Sequence, residues 1–358
     1  MKRSLTISLF AGVFLSAAAL FFAFRNVPVS ELLHYFGSID YFWIIPSIGL
    51  ALFSFILRVY RWQIILGSAK KIGFWHAFHP LMIGFAVNCI LPGRLGEMVR
   101  PVVLKKRDNV PMTTGLATVL TERVFDIGLL VVLFAVVLST VQIRSDLHIE
   151  FGPYRLNRGI LEAISDGMMK LCFLLAVGVL SVSFSGTREI INRLIARMPD
   201  LFFFLNRDRQ EKIRRSLSKP LIRIVENVAE GFSLVRYPKK MILCLGLSVM
   251  VWYSAAVSVY LMTLGCPGVR GLSFLESTAM LIIICFFIAL PSVPGFWGLW
   301  EAGGVFALSL FGISSQDAAG FTLANHAIQM IPVILVGLVS AVITGINILK
   351  VAYEPDVT

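Results

Sequence analysis

Two apolar segments of this chain are interrupted by the same short pattern, Pro-Gly-x-x-Gly, which places helix-breaking residues at fixed spacing. A backbone that leaves the helix inside lipid must satisfy its N–H and C=O groups against protein or a watery cavity. Matching breaks in two halves of a membrane protein therefore favour a transport site between two repeats. Two unrelated Pro-Gly turns are the alternative. The residues that form the two breaks are Pro92, Gly93 and Gly96 in the first and Pro294, Gly295 and Gly298 in the second.

Composition places the chain among polytopic membrane proteins. Hydrophobic residues make up 57% of the chain, charged residues make up 15%, and the mean hydropathy is +0.81. Soluble domains carry about 25% charged residues, so a large soluble domain is excluded. Of the 32 Lys and Arg residues, 13 lie between Arg188 and Lys240 beside 6 acidic residues. A loop this basic belongs on the cytoplasmic side, near anionic lipid headgroups, so the net charge of +11 does not indicate a nucleic-acid partner.

Basic flanks set the predicted orientation of the apolar segments. Arg58 and Arg61 are assigned to the cytoplasmic end of the second span. The segment Phe74–Leu91 has basic residues on both sides, which a re-entrant hairpin satisfies and a crossing segment does not. Both termini are then cytoplasmic. The segments predicted to cross the membrane are Leu5–Phe24, Tyr41–Leu57, Met112–Val141, Gly167–Ser185, Met241–Leu264 and Ala318–Leu349.

The predicted fold class is an all-α polytopic membrane protein with about six full transmembrane helices and two re-entrant hairpins in an inverted repeat. The two breaks lie 202 residues apart, and the same offset sets Arg123 against Asn325. The basic insertion is expected to form amphipathic helices, such as Arg188–Met198 and Pro220–Val235, that lie on the membrane surface or pack against the underside of the membrane domain. The predicted divisions are residues 1–141 (first repeat, hairpin about 74–104), 142–166 (external loop), 167–350 (second repeat, basic cytoplasmic insertion 186–240, hairpin about 274–311) and 351–358 (cytoplasmic tail).

Charged residues of the first half indicate a phosphate site. Glu122 and Asp126 lie one helical turn apart on the first long helix, and Arg123 lies between them. Ionisable groups at this depth are costly and face a cavity or one another, and arginine binds phosphate through a planar, permanently charged fork. A buried ion-pair network that only locks the hairpin to the helix is the alternative. The predicted phosphate ligands are Arg94, Arg100 and Arg123, supported by Asn88, Glu97, Glu122 and Asp126.

The second half offers a more neutral set of polar residues. Glu301 follows the second break, and Asn325 and His326 lie on the second long helix. His326 either titrates near neutral pH or is a packed polar residue. Trp297 and Trp300 are interpreted as outer-interface aromatics, with a headgroup or sugar platform as the alternative. The five cysteines lack metal-ligand spacing and are interpreted as core residues, so no metal and no cofactor is predicted.

Together these motifs resemble the flippase-like transmembrane family named after the membrane region of lysylphosphatidylglycerol synthase, the multiple peptide resistance factor. The resemblance extends from Leu5 to Lys350, and it departs from the usual form where aromatic residues replace small ones in the second break. It implies an inner-membrane protein of bacteria or archaea that translocates lipids or handles lipid-linked headgroups. Some members carry a fused synthase or glycosyltransferase domain, which this sequence does not contain. The motifs are Asn88, Leu91-Pro92-Gly93-Arg94-Leu95-Gly96-Glu97, Arg100, Glu122-Arg123, Asp126, Leu290-Pro291, Pro294-Gly295, Gly298 and Glu301.

The sequence therefore predicts a flippase or scramblase-like translocator of a phosphate-bearing lipid, such as a phospholipid or a polyprenyl-phosphate-linked headgroup. No Walker A motif is present, so a gradient or simple equilibration is expected to drive movement. The alternatives are an intramembrane lipid-modifying enzyme and an ion-coupled transporter of a small anion. No catalytic motif is found, so an enzyme is not predicted. The expected partners are membrane lipids, a separate lipid-modifying enzyme and a second copy of the chain.

Overall fold

A computed structural model describes residues 13–14, 16–21, 23–25, 27–67, 70–91, 94–140, 149–151, 154–156, 184–201, 237–289 and 294–353, with scattered positions between 170 and 226. The fold is all-α, as predicted, with one small β-hairpin in the predicted external loop. Three described helical segments are long and apolar enough to cross a membrane: Tyr41–Leu66, Pro238–Gly265 and Ser315–Thr344. The predicted spans Leu5–Phe24 and Gly167–Ser185 lie largely outside the described residues.

The helices fall into two sets with the same order. The first set is α2 (Ile44–Leu66), α3 (Phe74–Ile90), α4 (Gly96–Asp108) and α5 (Met112–Thr140), preceded by α1 (Val29–Gly37). The second set is α7 (Pro238–Gly265), α8 (Phe274–Phe287), α9 (Leu299–Ser309) and α10 (Ser315–Thr344), followed by α11 (Ile348–Tyr353). Between the sets lie β1 (Ile149–Phe151), β2 (Tyr154–Leu156) and α6 (Ser185–Arg197). Each set contains a long helix, a pair of short helices separated by a break, and a second long helix.

Packing between the two sets is reciprocal. The first long helices, α2 and α7, pack against each other; α3 packs on α10, and its counterpart α8 packs on α5. At the α2–α7 contact, Ser47 Oγ donates to the carbonyl of Ser258, and Ser258 Oγ donates to the carbonyl of Ser47, both at 2.8 Å. Small hydroxyl residues of this kind let membrane helices approach closely and hydrogen-bond across the contact. The repeated element order agrees with the prediction, while the inversion of the two sets relative to the membrane stays a prediction.

Both short pairs are hairpins, because α3 packs on α4 and α8 packs on α9. In the first hairpin, a Cβ added to Gly96 comes within 1.8 Å of the Gly84 carbonyl oxygen, so only glycine fits where the two helices touch. The Asn88 side chain completes this turn by accepting a hydrogen bond from the Gly96 N–H at 2.8 Å. Pro92 and Gly93 lie outside the described residues. The helix bounds match the predicted hairpins of residues 74–104 and 274–311, and their re-entrant nature stays a prediction.

Several predicted boundaries change. The second span, predicted to end at Leu57, continues as helix to Leu66, because the apolar pattern resumes beyond its two arginines. The last long helix ends at Thr344 instead of Leu349, where Gly345 adopts a left-handed conformation that closes the helix. In the basic insertion, α6 covers the predicted helix Arg188–Met198 except for its last residue, and it has no buried residue. The predicted helix Pro220–Val235 lies largely outside the described residues.

Candidate functional site

Seven charged side chains from three helices meet where the first hairpin packs against its neighbours. We call this group the charged cluster, and its members are Arg58 and Arg61 on α2, Glu97 and Arg100 on α4, and Glu122, Arg123 and Asp126 on α5. It contains four guanidinium groups and three carboxylates, so its formal charge is +1.

The centre of the cluster is a buried network around two carboxylates. Arg61 Nη1 lies 2.7 Å from Asp126 Oδ1, and Arg61 Nη2 lies 3.7 Å from Glu122 Oε1. Arg100 Nη2 lies 2.6 Å from Glu122 Oε2. Arg61 is fully buried and Glu122 is 1% exposed. Buried charges of this kind persist only when they are paired, so these four residues form the floor of the site.

Neutral side chains hold the two buried arginines in place. Arg61 Nη1 also donates to Ser248 Oγ on α7 at 2.8 Å. The Arg100 guanidinium carbon lies 4.2 Å from the centre of the Trp62 ring, a favourable cation–π distance. Trp62 is itself fixed by a hydrogen bond from its Nε1 to Thr118 Oγ1 at 3.0 Å. The floor is therefore built into the packing of four helices.

The edge of the cluster is more open. Arg123 Nη2 lies 3.3 Å from Asp126 Oδ2, and Arg123 Nε lies 3.8 Å from Glu97 Oε1. The Arg123 and Glu97 side chains are 31% and 32% exposed, whereas those of Arg61 and Arg100 are 0% and 3% exposed. Arg58 lies between these extremes, with its Nη1 3.4 Å from Asp126 Oδ2. A ligand from outside would therefore meet Arg123 first.

The arginines retain hydrogen-bonding capacity after these contacts are formed. The Nε–H groups of Arg58, Arg61, Arg100 and Arg123 find no hydrogen-bond acceptor among the described residues. An unpaired buried donor is unfavourable by about 1–3 kcal/mol. The cluster thus combines an excess positive charge with unused guanidinium donors, and an oxyanion satisfies both.

The tips of the two hairpins meet beside this cluster. Arg94, at the first break, has a positive φ of 53° and donates from Nη2 to the carbonyl of Ile288 at 2.5 Å, at the end of α8. Its guanidinium carbon lies 5.7 Å from the centre of the Phe296 ring in the second break. Arg94 is exposed.

The second break is organised around Glu301 and His326. Gly295 and Gly298 have φ of 68° and 88°, conformations that glycine adopts without strain. Glu301 Oε2 accepts a hydrogen bond from the Gly298 N–H at 2.7 Å, and Glu301 Oε1 lies 2.6 Å from His326 Nδ1. Asn325 is fully buried, and neither polar atom of its amide has a partner among the described residues.

The structure brings most of the predicted site residues together and separates their roles. Arg100 and Arg123 join Glu97, Glu122 and Asp126 in the charged cluster, while Arg94 lies at the hairpin tips. Asn88 supports the turn itself and makes no described contact with the cluster. Glu301 and His326 pair with each other at the second break.

The sequence interpretation missed two arginines of the charged cluster. Arg58 and Arg61 were expected to flank the second span at the cytoplasmic end, but both belong to the cluster. The signal was present, because the acidic pair Glu122 and Asp126 needs more buried cations than Arg123, on the same helix, supplies. The outer-interface position of Trp297 and Trp300 stays a prediction, and the structure adds that their rings lie against His326 at centroid distances of 4.5 and 4.7 Å.

Comparison with known proteins identifies the family. The model of the lysylphosphatidylglycerol synthase transmembrane region matches residues 9–337. The chain belongs to this family. It is 24% identical over 264 residues to a UPF0104 membrane protein of Methanocaldococcus jannaschii, an alignment that covers 74% of this chain and 96% of that protein. No solved structure matches.

A second relative is the glycosyltransferase AglD of Haloferax volcanii, which is 31% identical over 135 residues. The alignment covers 37% of this chain and 21% of AglD, so the chain spans about a fifth of that relative's length. Family membership and the long apolar helices together show that the chain is a membrane protein.

Proposed function

We propose that the chain is a lipid translocator that moves a phosphate-bearing lipid between the leaflets of a cytoplasmic membrane. The observation that carries the proposal is the charged cluster, where four arginines face three carboxylates at the end of a broken helix hairpin and Arg123, at the open edge, keeps an unused Nε–H donor. The family's association with a lipid synthase supports a lipid as the ligand.

Each part of the cluster has a role in this proposal. Arg123, at the open edge, binds the phosphate with both arms of its guanidinium, and the exposed Arg94 attracts the headgroup from the hairpin tips. Arg61 and Arg100 stay paired with Glu122 and Asp126, so they position Arg123 without touching the lipid. Glu97 balances Arg123 when the site is empty and moves aside for the phosphate. The acyl or polyprenyl tails remain in the surrounding lipid.

Leaflet-to-leaflet movement of a fluorescent phospholipid in proteoliposomes tests the proposal. Arg123→Lys keeps the charge but loses the two-armed geometry, so we expect movement to fall about tenfold or more, equivalent to about 1.4 kcal/mol or more. Arg193→Lys on α6 is the matched control, because Arg193 forms a highly exposed pair with Glu189, and it should move lipid at the wild-type rate.

Wild-type movement by a stably folded Arg123→Lys protein would contradict the proposal and leave the cluster as a structural network. Thermal unfolding of each variant, recorded in parallel, separates a lost function from a lost fold. A wild-type protein that moves inorganic phosphate and no lipid would favour the small-anion transporter instead.

A further inference from the structure

We propose that Glu301 and His326 form a proton-binding site, and that its proton is the coupling ion of the translocator. The site itself is independent of the lipid function, whereas the coupling rests on the function proposed above. Three observations carry the inference: a comparison between the two repeats, the burial of the pair, and its hydrogen bond to the second break.

The comparison starts from the glutamate that follows each break. Glu97 pairs with Arg123 on the long helix α5, and Glu301 pairs with His326 on the long helix α10. The helices α9 and α10 begin 203 residues after α4 and α5, and His326 lies 203 residues after Arg123. The 202-residue offset between the two breaks had set Arg123 against Asn325. The 203-residue offset between the helix starts sets Arg123 against His326 instead, one residue further along the chain. The same position therefore holds a permanent cation in the first repeat and a titratable base in the second.

Burial makes the proton necessary. Glu301 is fully buried and His326 is 1% exposed, and the carboxylate forms its described ion pair with this histidine alone. A buried carboxylate without a cation is strongly unfavourable. One proton held by the pair, as imidazolium with carboxylate or as neutral imidazole with carboxylic acid, keeps the net charge at zero. Loss of that proton leaves a charge of −1 in a site closed to water.

Several described titratable groups on the neighbouring elements have partners of their own. Glu276 on α8 bonds Ser273, and Asp317 bonds Ser314 at the start of α10. Tyr35 on α1 donates to the carbonyl of Pro267. The helix α7 meets α10 at Gln329, which donates to the neutral Ser258. The remaining groups near the hairpin tips are Cys89 on α3, Cys285 on α8 and Arg94, whose guanidinium bonds Ile288.

The hydrogen bond to Gly298 connects the proton to the shape of the break. Glu301 Oε2 accepts a hydrogen bond from the Gly298 N–H, while Oε1 hydrogen-bonds His326 Nδ1. The same carboxylate therefore contacts both the break and the histidine. When the pair loses its proton, the unpaired charge is relieved by water, and water reaches it only if the break opens. The pair takes up the proton from water on one side of the membrane and releases it to water on the other. Only the N–H or O–H bond to this proton forms and breaks.

Intrinsic tryptophan fluorescence tests the site directly. The Trp300 ring stacks on the His326 ring with an interplanar angle of 8°, and the centroid of the Trp297 ring lies 4.5 Å from that of His326. Imidazolium quenches indole emission more than neutral imidazole does, so emission of the purified protein should rise as the pH is raised from 5 to 9. His326→Gln should abolish this rise. His79→Gln is the matched control, because His79 stacks on Trp75 at 5.8 Å, and it should keep most of the rise.

Glu301→Gln gives a directional test. Removal of the carboxylate takes away the acceptor that holds the imidazolium, so Glu301→Gln should show a smaller fluorescence change between pH 5 and pH 9 than the wild type. If His326→Gln fails to fold, Trp300→Phe in the presence of His326 should lose most of the amplitude. An unchanged titration in a folded His326→Gln protein, or no titration in the wild type, would overturn the site.

Lipid movement under an imposed pH gradient tests the coupling separately. We expect the gradient to change the wild-type rate and to leave the His326→Gln rate unchanged. Gradient-independent movement by a wild type that shows the fluorescence titration would overturn the coupling and keep the site. A wild type that moves no lipid would remove the proposed function and the coupling with it, while the titration still decides the site.

Discussion

Arg61 Nη1 lies 2.7 Å from Asp126 Oδ1, and the Arg61 side chain is fully buried. This pair joins α2, the first long helix of the first repeat, to α5, its second long helix. The Arg61 guanidinium also reaches Glu122 and Ser248, so a single side chain connects α2, α5 and α7. The charged cluster therefore has a structural floor that is distinct from its open edge at Arg123.

Loss of the Arg61 side chain should destabilise the fold. Arg61→Ala leaves Asp126 with Arg58 and Arg123 as remaining partners and removes one of two partners from Glu122. Breaking a buried pair is unfavourable by about 3–5 kcal/mol. Thermal or denaturant unfolding in detergent measures the loss. Arg193→Ala, at an exposed ion pair on α6, is the control and should change stability by less than about 1 kcal/mol. Equal stability of the two variants would show that Arg61 is dispensable.

The close contact of the first hairpin gives a second prediction. Gly96→Ala places a Cβ within 1.8 Å of a backbone oxygen of α3, which cannot move aside cheaply. We expect α3 and α4 to separate and the protein to lose stability and lipid movement together. Gly128→Ala on α5 is the control, since nothing lies within 4 Å of the added Cβ. It should be neutral or stabilising, because alanine is favoured over glycine in a helix by about 1 kcal/mol. A fully stable and active Gly96→Ala protein would refute the hairpin geometry.

How much was predictable depends on whether a feature is local. The hairpins followed from the sequence, because Pro and Gly end a helix through their own backbone. The cluster followed in part, since Glu122 and Asp126 share one helix face. Arg61 was not predicted as a member of the cluster, because a flanking arginine in an apolar helix usually marks the water interface. Its burial depends on carboxylates about 60 residues away in sequence, which no local pattern reports.

The pairing of Glu301 with His326 shows the same limit. Each residue was identified separately, but the 2.6 Å contact between them depends on how α9 packs on α10. Trp297 and Trp300 were placed at the membrane interface by residue type alone. Tertiary packing turns both of them onto the histidine.

The inverted topology is a third prediction. The Arg94 guanidinium carbon lies 5.7 Å from the centre of the Phe296 ring, so the two hairpin tips meet. If the repeats are inverted, each tip is reached from the opposite face. In a background with the five native cysteines replaced by serine, Leu95→Cys should react with a membrane-impermeant maleimide from the cytoplasmic face. Phe296→Cys should react from the outer face. Labelling of both positions from one face would rule out the inversion.

Binding of a short-chain lipid gives the last prediction and separates the edge of the cluster from its floor. A ligand that binds only the folded protein raises stability by about 2.7 kcal/mol at a hundredfold excess over its Kd. Dihexanoyl phosphatidic acid should therefore raise the unfolding temperature of the wild type, whereas inorganic phosphate should raise it little, because it lacks the tails.

Arg123→Lys should unfold at nearly the wild-type temperature without lipid, because the Arg123 side chain is 31% exposed. It should lose most of the lipid-induced shift, because Lys offers a point charge in place of a two-armed donor. Arg193→Lys should keep the full shift. An equal shift for Arg123→Lys and the wild type would place the phosphate elsewhere, and an equal shift with inorganic phosphate alone would favour a small anion as the ligand.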